Sequence, residues 1–183
     1  MAQFDGYRQV PHDSYNAWRT ATLGNGFNVD YYSGNQCWDF PALLYFQYGR
    51  RLETRPGGYG TAADCWNVSR AVNSQYPFIS LTGKENIKRG DILVWNSTSF
   101  TATGHIAFAD EDYNGTNYLN CLGQNQGQGS SAPSNIANLS LDNFLGIFRN
   151  TEWIAPEPPT PSAKKKKGFP WVVAWQHWSN FND

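Results

Sequence analysis

The sequence predicts an α+β domain in which helices from the first half of the chain pack on an antiparallel sheet from the second half. Apolar residues between positions 14 and 72 recur at helical spacing, whereas short strand-like segments follow position 90 and are separated by turn signals. Helices followed by strands are typical of α+β folds. A chain of 183 residues is long enough to bury one such core.

Three helices are predicted in the first half. The first covers residues 14–23, with Ser14 as a suitable N-cap. The second begins at Cys37 and ends at Gly49, which places a cysteine at a helix N-terminus. The third covers residues 62–72.

Four strands are predicted in the second half, at residues 91–96, 104–110, 117–123 and 144–149. The dipeptide Asn114-Gly115 favours a hairpin between the second and third of these strands. A strict two-residue loop would pair His105 with Gln124. A shift of one residue, through a bulge or a longer turn, would place Asn125 opposite His105 instead.

Composition and charge exclude several classes of protein. A net charge of −1 argues against a nucleic acid partner held by a basic surface. Three cysteines without a C-x-x-C pair fit neither a disulfide framework nor a structural zinc site. Residues 1–25 lack the apolar core of a signal peptide, and no run reaches the ~18 apolar residues of a membrane span. We therefore expect synthesis in a cytoplasm.

The composition divides the chain into three parts. Residues 1–152 hold all the predicted helices and strands, and residues 153–168 form a linker rich in proline and lysine. Residues 169–183 form an aromatic tail that is too short for a core of its own. We interpret the tail as flexible or docked on a partner. Segment 164–183 could contact an anionic wall polymer, a membrane surface or another protein.

Cys37 is the candidate nucleophile. Cys65 falls in a helical pattern and Cys121 in a strand, where cysteine usually behaves as a small buried hydrophobe. The positive end of a helix favours the thiolate of Cys37. Lowering a thiol pKa by about three units takes roughly 4 kcal/mol, whereas a helix end supplies about 0.3 to 1 kcal/mol. A neighbouring imidazole is therefore needed.

His105 is the candidate base for this thiol. His12 lies in an irregular N-terminal segment and His177 in the tail, whereas His105 begins a strand that would fix the direction of its ring. A catalytic imidazole also needs a partner on its second nitrogen. Gln124 or Asn125 could accept that N–H, depending on the hairpin register.

Four motifs, in this order, resemble the CHAP domain, the cysteine- and histidine-dependent amidohydrolase/peptidase of many bacteriophage endolysins and bacterial wall hydrolases. They are Tyr32-Ser-Gly-Asn-Gln-Cys-Trp-Asp39, Ile87-Lys-Arg-Gly-Asp-Ile-Leu-Val-Trp95, Gly104-His-Ile-Ala107 and Leu122-Gly-Gln-Asn125. The resemblance spans about residues 14–150 and implies a papain-like fold related to NlpC/P60 proteins.

The resemblance also implies a role for each site residue. Cys37 would attack an amide carbonyl, His105 would serve as base and then acid, and Asn125 would orient the imidazole. The side chain of Gln36 and the N–H of Cys37 would stabilise the oxyanion. The chain departs from the family at Gly123, where many relatives carry a glutamate that gives the imidazolium a negative partner.

The loop before the second helix has the ligand spacing of a calcium site. With Asn28 as position 1, oxygen donors fall at positions 3, 5, 7 and 12, namely at Asp30, Tyr32, Gly34 and Asp39. Ser33 replaces the EF-hand glycine, but several phage CHAP domains bind calcium at a loop like this one. Such relatives have aspartate at the first position, so Asn28 should weaken binding. In the alternative interpretation, Asp39 caps the following helix. A bound calcium would order Cys37 rather than join the chemistry.

The resulting hypothesis is a peptidoglycan hydrolase that cleaves an amide bond of the cell wall by thiol catalysis. The bond lies either between muramic acid and L-alanine or within the stem peptide or cross-bridge, and the sequence leaves both open. We expect action on the wall after release from the host cytoplasm, or carriage in a phage particle. The rival is a non-catalytic or weakly active wall-binding or virion component. Another cysteine-peptidase clan, or a zinc site of scattered Cys and His, ranks third.

Overall fold

A computed structural model describes residues 8–57, 60–98, 101–127 and 131–154. The helices in these ranges are α1 (Tyr15–Thr22), α2 (Asp39–Gln47), α3 (Asp64–Asn67) and α4 (Arg70–Asn73), and 3-10 turns cover Lys84–Asn86 and Thr151–Trp153. The strands are β1 (Phe78–Leu81), β2 (Ile92–Trp95), β3 (His105–Ala109), β4 (Tyr118–Gly123), β5 (Asn135–Ser140) and β6 (Phe144–Asn150). The predicted α+β plan is confirmed.

The strands form one antiparallel sheet in the order β1-β6-β2-β3-β4-β5. All four predicted strands are present, and β2, β3 and β4 lie inside the sheet. The edge strands β1 and β5 were not predicted. β1 has four residues, and β5 is half polar and mostly half-exposed, so neither carries a clear apolar signal.

Local side-chain contacts explain where the helices begin and end. Ser14 caps α1 by accepting a hydrogen bond from the Ala17 N–H at 3.2 Å. Gly49, with a φ of 64°, ends α2 in the left-handed region, as predicted. The single helix predicted at 62–72 is wrong, because it divides into α3 and α4 near Ser69. The Ser69 hydroxyl donates to the Thr54 carbonyl at 3.0 Å and ties this segment to the preceding loop.

An aromatic cluster packs α2 against the sheet. Phe40 on α2 lies 5.6 Å from Trp18 and 5.2 Å from Phe108 on β3, measured between ring centroids. Phe27 also stacks on Phe40, at 5.9 Å. It precedes residues 28–38, which carry Cys37 and are called the nucleophile loop below. All four rings are fully buried. This packing fixes the residues before α2 next to β3.

Two further predictions concern membrane spans and the C-terminal segments. No helix in the described ranges has the length and apolar character needed to cross a membrane. The predicted linker and tail, including segment 164–183, lie almost entirely outside the described residues. The boundaries predicted for them stay predictions.

Candidate active site

The Cys37 thiol lies at the start of α2 and contacts β3. Cys37 precedes the N-cap residue Trp38, and 9% of the cysteine is exposed. Backbone N–H groups of Ile106, Trp38 and Cys37 itself point at the sulfur. Because Ile106 directly follows His105, the thiol lies beside the first residues of the predicted histidine strand.

Burial dominates the electrostatics of this thiol. The pKa of Cys37 is raised to about 11, mainly by burial and also by the charge of Asp39, against the lowering effect of the three N–H groups. The predicted lowering by the helix end is therefore not found. A helix terminus contributes about 0.3 to 1 kcal/mol, which does not offset the removal of a charged sulfur from water.

The imidazole of His105 is held between two side chains. Its ring centroid lies 5.7 Å from that of Trp95, whose indole N–H donates to the Ser140 carbonyl at 2.8 Å. On the other side, Nε2 lies 3.0 Å from Oε1 of Gln126. Burial lowers the pKa of His105 below its ordinary 6.5, against a smaller raising effect of Gln126. The ring is therefore neutral at pH 7.

The Cys37 thiol and the His105 imidazole both lie at the start of β3, but they lie on opposite faces of the sheet. Cys37 packs with the helix-side core, whereas His105 lies against Trp95, which belongs to the core on the other face of the sheet. Among the described residues, no hydrogen bond joins the sulfur to the ring. Catalytic hydrogen bonds are often long in a free enzyme and shorten when substrate binds.

The hairpin register explains where Asn125 lies. Phe108 pairs with Leu122, which is the shifted register, and its continuation would place Asn125 opposite His105. However, β4 ends at Gly123, and Asn125 has a φ of 54°, so the chain turns away from the strand.

Asn125 therefore contacts the nucleophile loop rather than the histidine. Its Nδ2 donates to Oε1 of Gln36 at 3.1 Å, and its Oδ1 accepts from the Ser131 N–H at 3.0 Å. The predicted contact between Asn125 and the imidazole is wrong. Gln126, the next residue along the chain, makes that contact, and the sequence analysis missed it.

The amide of Gln36 is held beside Cys37 at both ends. Its Nε2 donates to the Ser33 carbonyl at 2.6 Å, and its Oε1 accepts from Asn125. Asn125 thereby fixes which end of the Gln36 amide is the donor. The oxyanion role predicted for Gln36 stays a prediction.

Gln124 is a second residue whose role the sequence analysis missed. Its fully buried amide accepts from the Phe27 N–H at 2.7 Å and donates to the carbonyls of Phe27 and Gln36, each at 3.0 Å. Gln124 was considered there as a partner of the imidazole. In the structure it joins the end of β4 to both ends of the nucleophile loop.

The carboxylate of Asp39 closes the predicted calcium loop. It is fully buried and accepts from the N–H groups of Val29 and Gln36, each at 2.8 Å, and of Asp30. Its pKa is raised to about 7, mainly by burial and also by the charge of Asp30, against the lowering effect of the three N–H groups. These contacts hold the loop before α2 together. The alternative interpretation, in which Asp39 caps the following helix, is wrong, because α2 has no side-chain cap and the carboxylate bonds only to N–H groups that precede the helix.

The other predicted ligands supply oxygen donors, which suit calcium. Asp30 is exposed, and its Oδ1 accepts from the Tyr32 N–H at 2.8 Å, while Asn28 is buried. The two carboxylates lie close enough to affect each other's charge, so a divalent cation between them would relieve repulsion. Within the described ranges, no three His, Cys, Asp or Glu side chains are grouped where they could hold a metal ion.

Gly104 sets the start of the histidine strand. It has a φ of 71°, and an added Cβ would lie 2.4 Å from the Trp95 carbonyl oxygen and 2.9 Å from Cβ of Ala63. We expect Gly104→Ala to lower the free energy of unfolding by more than the ~1–2 kcal/mol of left-handed strain alone and to displace His105. Denaturant unfolding measures the loss of stability, and the rate of wall hydrolysis measures the effect of displacing His105.

Gly115→Ala is the matched control for this prediction. Gly115 has a φ of 86°, but nothing lies within 4 Å of an added Cβ. This variant should show the left-handed strain without the collision, and it should keep full activity. Equal losses of stability in the two variants would contradict the account of Gly104.

Comparison with known proteins identifies the family. Residues 25–125 match the family model described as the CHAP domain. The match covers more than half of the chain, so the chain belongs to the CHAP domain family. The predicted resemblance is confirmed. All four of its motifs lie within the matched residues, and the fourth ends at the last of them.

Two of the proteins similar to this chain are endolysins, one of them from a phage. Endolysin PlyTW of Staphylococcus phage Twort (strain DSM 17442 / HER 48) is 28% identical over 151 residues, covering 79% of this chain and 30% of that protein. The crystal structure of the wild type endolysin LysIME-EF1 matches with a TM-score of 0.59 and 22% identity, over 75% of this chain and 64% of that one. That of Ly7917 matches with a TM-score of 0.51 and 16% identity, over 76% and 63%.

These relatives are longer than the matched region. The chain spans less than a third of the length of PlyTW and less than two thirds of each solved chain. At their low sequence identities, the two solved structures show the fold alone. They confirm the α+β architecture of the CHAP domain.

Proposed function

We propose that this chain is a peptidoglycan hydrolase that cleaves an amide bond of the bacterial cell wall with Cys37 as nucleophile. The observation that carries the proposal is the contact between the Cys37 sulfur and the N–H of the residue that follows His105. This contact brings the thiol of a CHAP domain to the start of its histidine strand. The similarity to a phage endolysin supports peptidoglycan as the substrate.

The residues present can perform acyl transfer. The Cys37 sulfur attacks the carbonyl carbon while His105 takes the thiol proton. The N–H of Cys37 and the Gln36 amide stabilise the oxyanion, and Asn125 holds that amide in place. Collapse of the intermediate breaks the C–N bond, and His105 gives its proton to the leaving amine. Water then cleaves the thioester to a carboxylic acid and restores the thiol, with His105 again as base.

The products distinguish this reaction from cleavage of the glycan strand. We expect purified walls treated with the protein to release new amino groups with no increase in reducing sugar ends. New L-alanine amino termini would identify an N-acetylmuramoyl-L-alanine amidase, and other new amino termini an endopeptidase. Release of reducing ends without amino groups would contradict the proposal.

One observation favours a second function, a non-catalytic or weakly active CHAP domain that binds the wall or a virion partner. The Cys37 thiol is buried, its pKa is raised to about 11, and it forms no hydrogen bond with His105 among the described residues. This function predicts binding to purified walls without release of amino groups. Segment 164–183, outside the described residues, is the segment expected to dock in that case.

We propose in addition that the loop from Asn28 to Asp39 binds calcium through oxygen atoms of Asn28, Asp30, Tyr32, Gly34 and Asp39. An ion there would hold the loop that carries Cys37 and would take no part in the reaction. We expect calcium to raise the melting temperature and chelation to lower both this temperature and the activity, because an ion that binds the folded state alone stabilises it.

Asp30→Asn is the variant that tests the calcium proposal. Its carboxylate is exposed, so its loss should weaken calcium binding with little effect on the metal-free fold. Asp13→Asn removes another exposed carboxylate, away from the loop, and serves as the control. Melting curves with and without calcium give the comparison. A melting temperature of the wild type that does not respond to calcium or to chelation would remove the ion from the account.

A further inference from the structure

The side chain of Gln126 is buried, with 5% of the residue exposed, and its amide is fully bonded. Its Nε2 donates to the carbonyl of Cys121 at 2.8 Å and to the carbonyl of Asn135 at 2.9 Å. Its Oε1 lies 3.0 Å from Nε2 of His105. The amide thus joins two neighbouring strands of the sheet to the imidazole.

These contacts fix the orientation of the amide and the position of a proton. Both carbonyls accept hydrogen bonds and cannot donate, so the NH₂ end of Gln126 must face them. The oxygen end therefore faces His105, and the imidazole Nε2 must carry a hydrogen to donate to it. In the neutral ring, the free lone pair is then on Nδ1.

Space for this amide exists because residue 123 is glycine. A Cβ added to Gly123 would lie 2.6 Å from Oε1 of Gln126 and 2.9 Å from Cβ of Ala107. Gln126 thus occupies the volume that a side chain at position 123 would need. The missing glutamate of the family pattern and the presence of Gln126 at the imidazole are two aspects of one packing arrangement.

We propose that Gln126 is the positioning residue of the active site, which holds His105 in the tautomer with Nε2 protonated and leaves Nδ1 as the base toward Cys37. The role of Nδ1 as a base rests on the proposed function. The tautomer of His105 is a property of the free protein. Gln126 acts through His105 and does not touch the reacting atoms.

The Gln126 amide is neutral, so its effect on the pKa of His105 differs from that of a carboxylate. The groups that contact the imidazole are the indole of Trp95 from β2 and the amide of Gln126 after β4. No charged side chain of the described residues contributes to the pKa of His105, which burial lowers and the bond from Gln126 raises. Because a lowered pKa keeps the base unprotonated in weak acid, activity should persist below pH 6.5.

Two substitutions of similar size test the proposal through the pH profile. Gln126→Met and Gln126→Glu both lose the donations to Cys121 and Asn135, so their structural costs are similar. Methionine removes a bond that raises the imidazole pKa, so the acid limb of kcat/KM should move to lower pH. Glutamate places a negative charge beside the imidazolium, so the limb should move up by about one unit or more.

Activity at the optimum and a control variant complete the kinetic test. Gln126→Met should lower kcat/KM for amine release by about tenfold, the loss of one hydrogen bond. Asn135→Ala removes a side-chain donation to the Gln126 carbonyl at 3.0 Å without touching the imidazole. It loosens the same loop and should leave the pH profile unchanged. An acid limb at the same pH in wild type and both Gln126 variants would overturn the proposal.

Nitrogen NMR of the wild type decides the tautomer without any assay of activity. With ¹⁵N-labelled histidine, His105 should show a protonated Nε2 and an unprotonated Nδ1 at pH 7. A protonated Nδ1 would overturn the inference even if the enzyme is active. If the wild type releases no amines from walls, the proposed function fails, and the NMR result still decides whether Gln126 fixes the ring.

Discussion

Cys37→Ser should abolish the release of amino groups from purified walls while the fold remains intact. The variant keeps the size of the side chain but replaces the nucleophilic sulfur with a hydroxyl that the neutral His105 cannot activate to the same extent. Loss of a nucleophile in such a constellation typically costs at least about a thousandfold in kcat. Amine release and turbidity of wall suspensions measure activity, and circular dichroism measures the fold.

Cys121→Ser provides the matched control for the nucleophile. Cys121 is also fully buried, and its thiol donates to the Leu119 carbonyl at 3.5 Å, a bond that a serine hydroxyl can make. This variant should retain wall hydrolysis. If the Cys37 variant also retained it, Cys37 would not be the nucleophile, and if the wild type bound walls without cleaving them, the non-catalytic alternative would hold.

Asp91→Ala should cost about 3 to 5 kcal/mol of unfolding free energy, the largest effect on stability that we expect. Asp91 is 2% exposed and accepts two hydrogen bonds of 2.7 Å from Arg149 on β6. It also accepts from the Lys88 N–H at 2.7 Å, which fixes the turn before β2. Truncation would leave the largely buried Arg149 guanidinium without its countercharge. Chemical denaturation measures the loss.

Lys88→Ala breaks an exposed ion pair in the same region and serves as the control. Its Nζ lies 3.2 Å from the carboxylate of Asp112, and both side chains are more than half exposed. Exposed pairs contribute about 0 to 1 kcal/mol, so this variant should unfold close to the wild type. Similar losses in the two variants would show that burial of the Asp91–Arg149 pair is not what makes it important.

Apolar periodicity predicted the parts of the fold that bury apolar surface. The residues of α2 alternate little because nearly all are buried, yet Gly49 marked its end, and the inner strands β2 and β3 stood out as apolar runs. Edge strands bury little, so β1 and β5 gave no comparable pattern. The break between α3 and α4 depends on Ser69 bonding to a distant loop residue, which local propensity does not contain.

The residue types of the candidate site were predicted from the sequence. One contact, that of Asn125 with the His105 imidazole, was predicted wrongly. The sequence placed Cys37 at the first position of a helix and His105 at the start of a strand. His105 does begin β3, whereas α2 begins two residues after Cys37. The partner of the imidazole depends on where β4 ends and how Asn125 turns, which are properties of the folded loop. A signal was nevertheless present, since a glycine at 123 leaves room for a neighbouring side chain.

The pKa of the thiol could not be predicted from the sequence either. Helix position suggests a lowered value, whereas the structure shows that burial raises it to about 11. Burial depends on the whole core rather than on residues near Cys37. In the proposed mechanism, activation of the thiol is therefore assigned to His105 rather than to the helix end.

Mass spectrometry of wall fragments digested by the wild type and by Cys37→Ser tests the central claim most directly. The account predicts wild type fragments that differ from intact wall by hydrolysis of one kind of amide bond, each cleavage giving a new amino group and a new carboxyl group. It predicts none of these fragments from the Cys37 variant. The same fragments from both proteins, or fragments cut within the glycan strand, would contradict it.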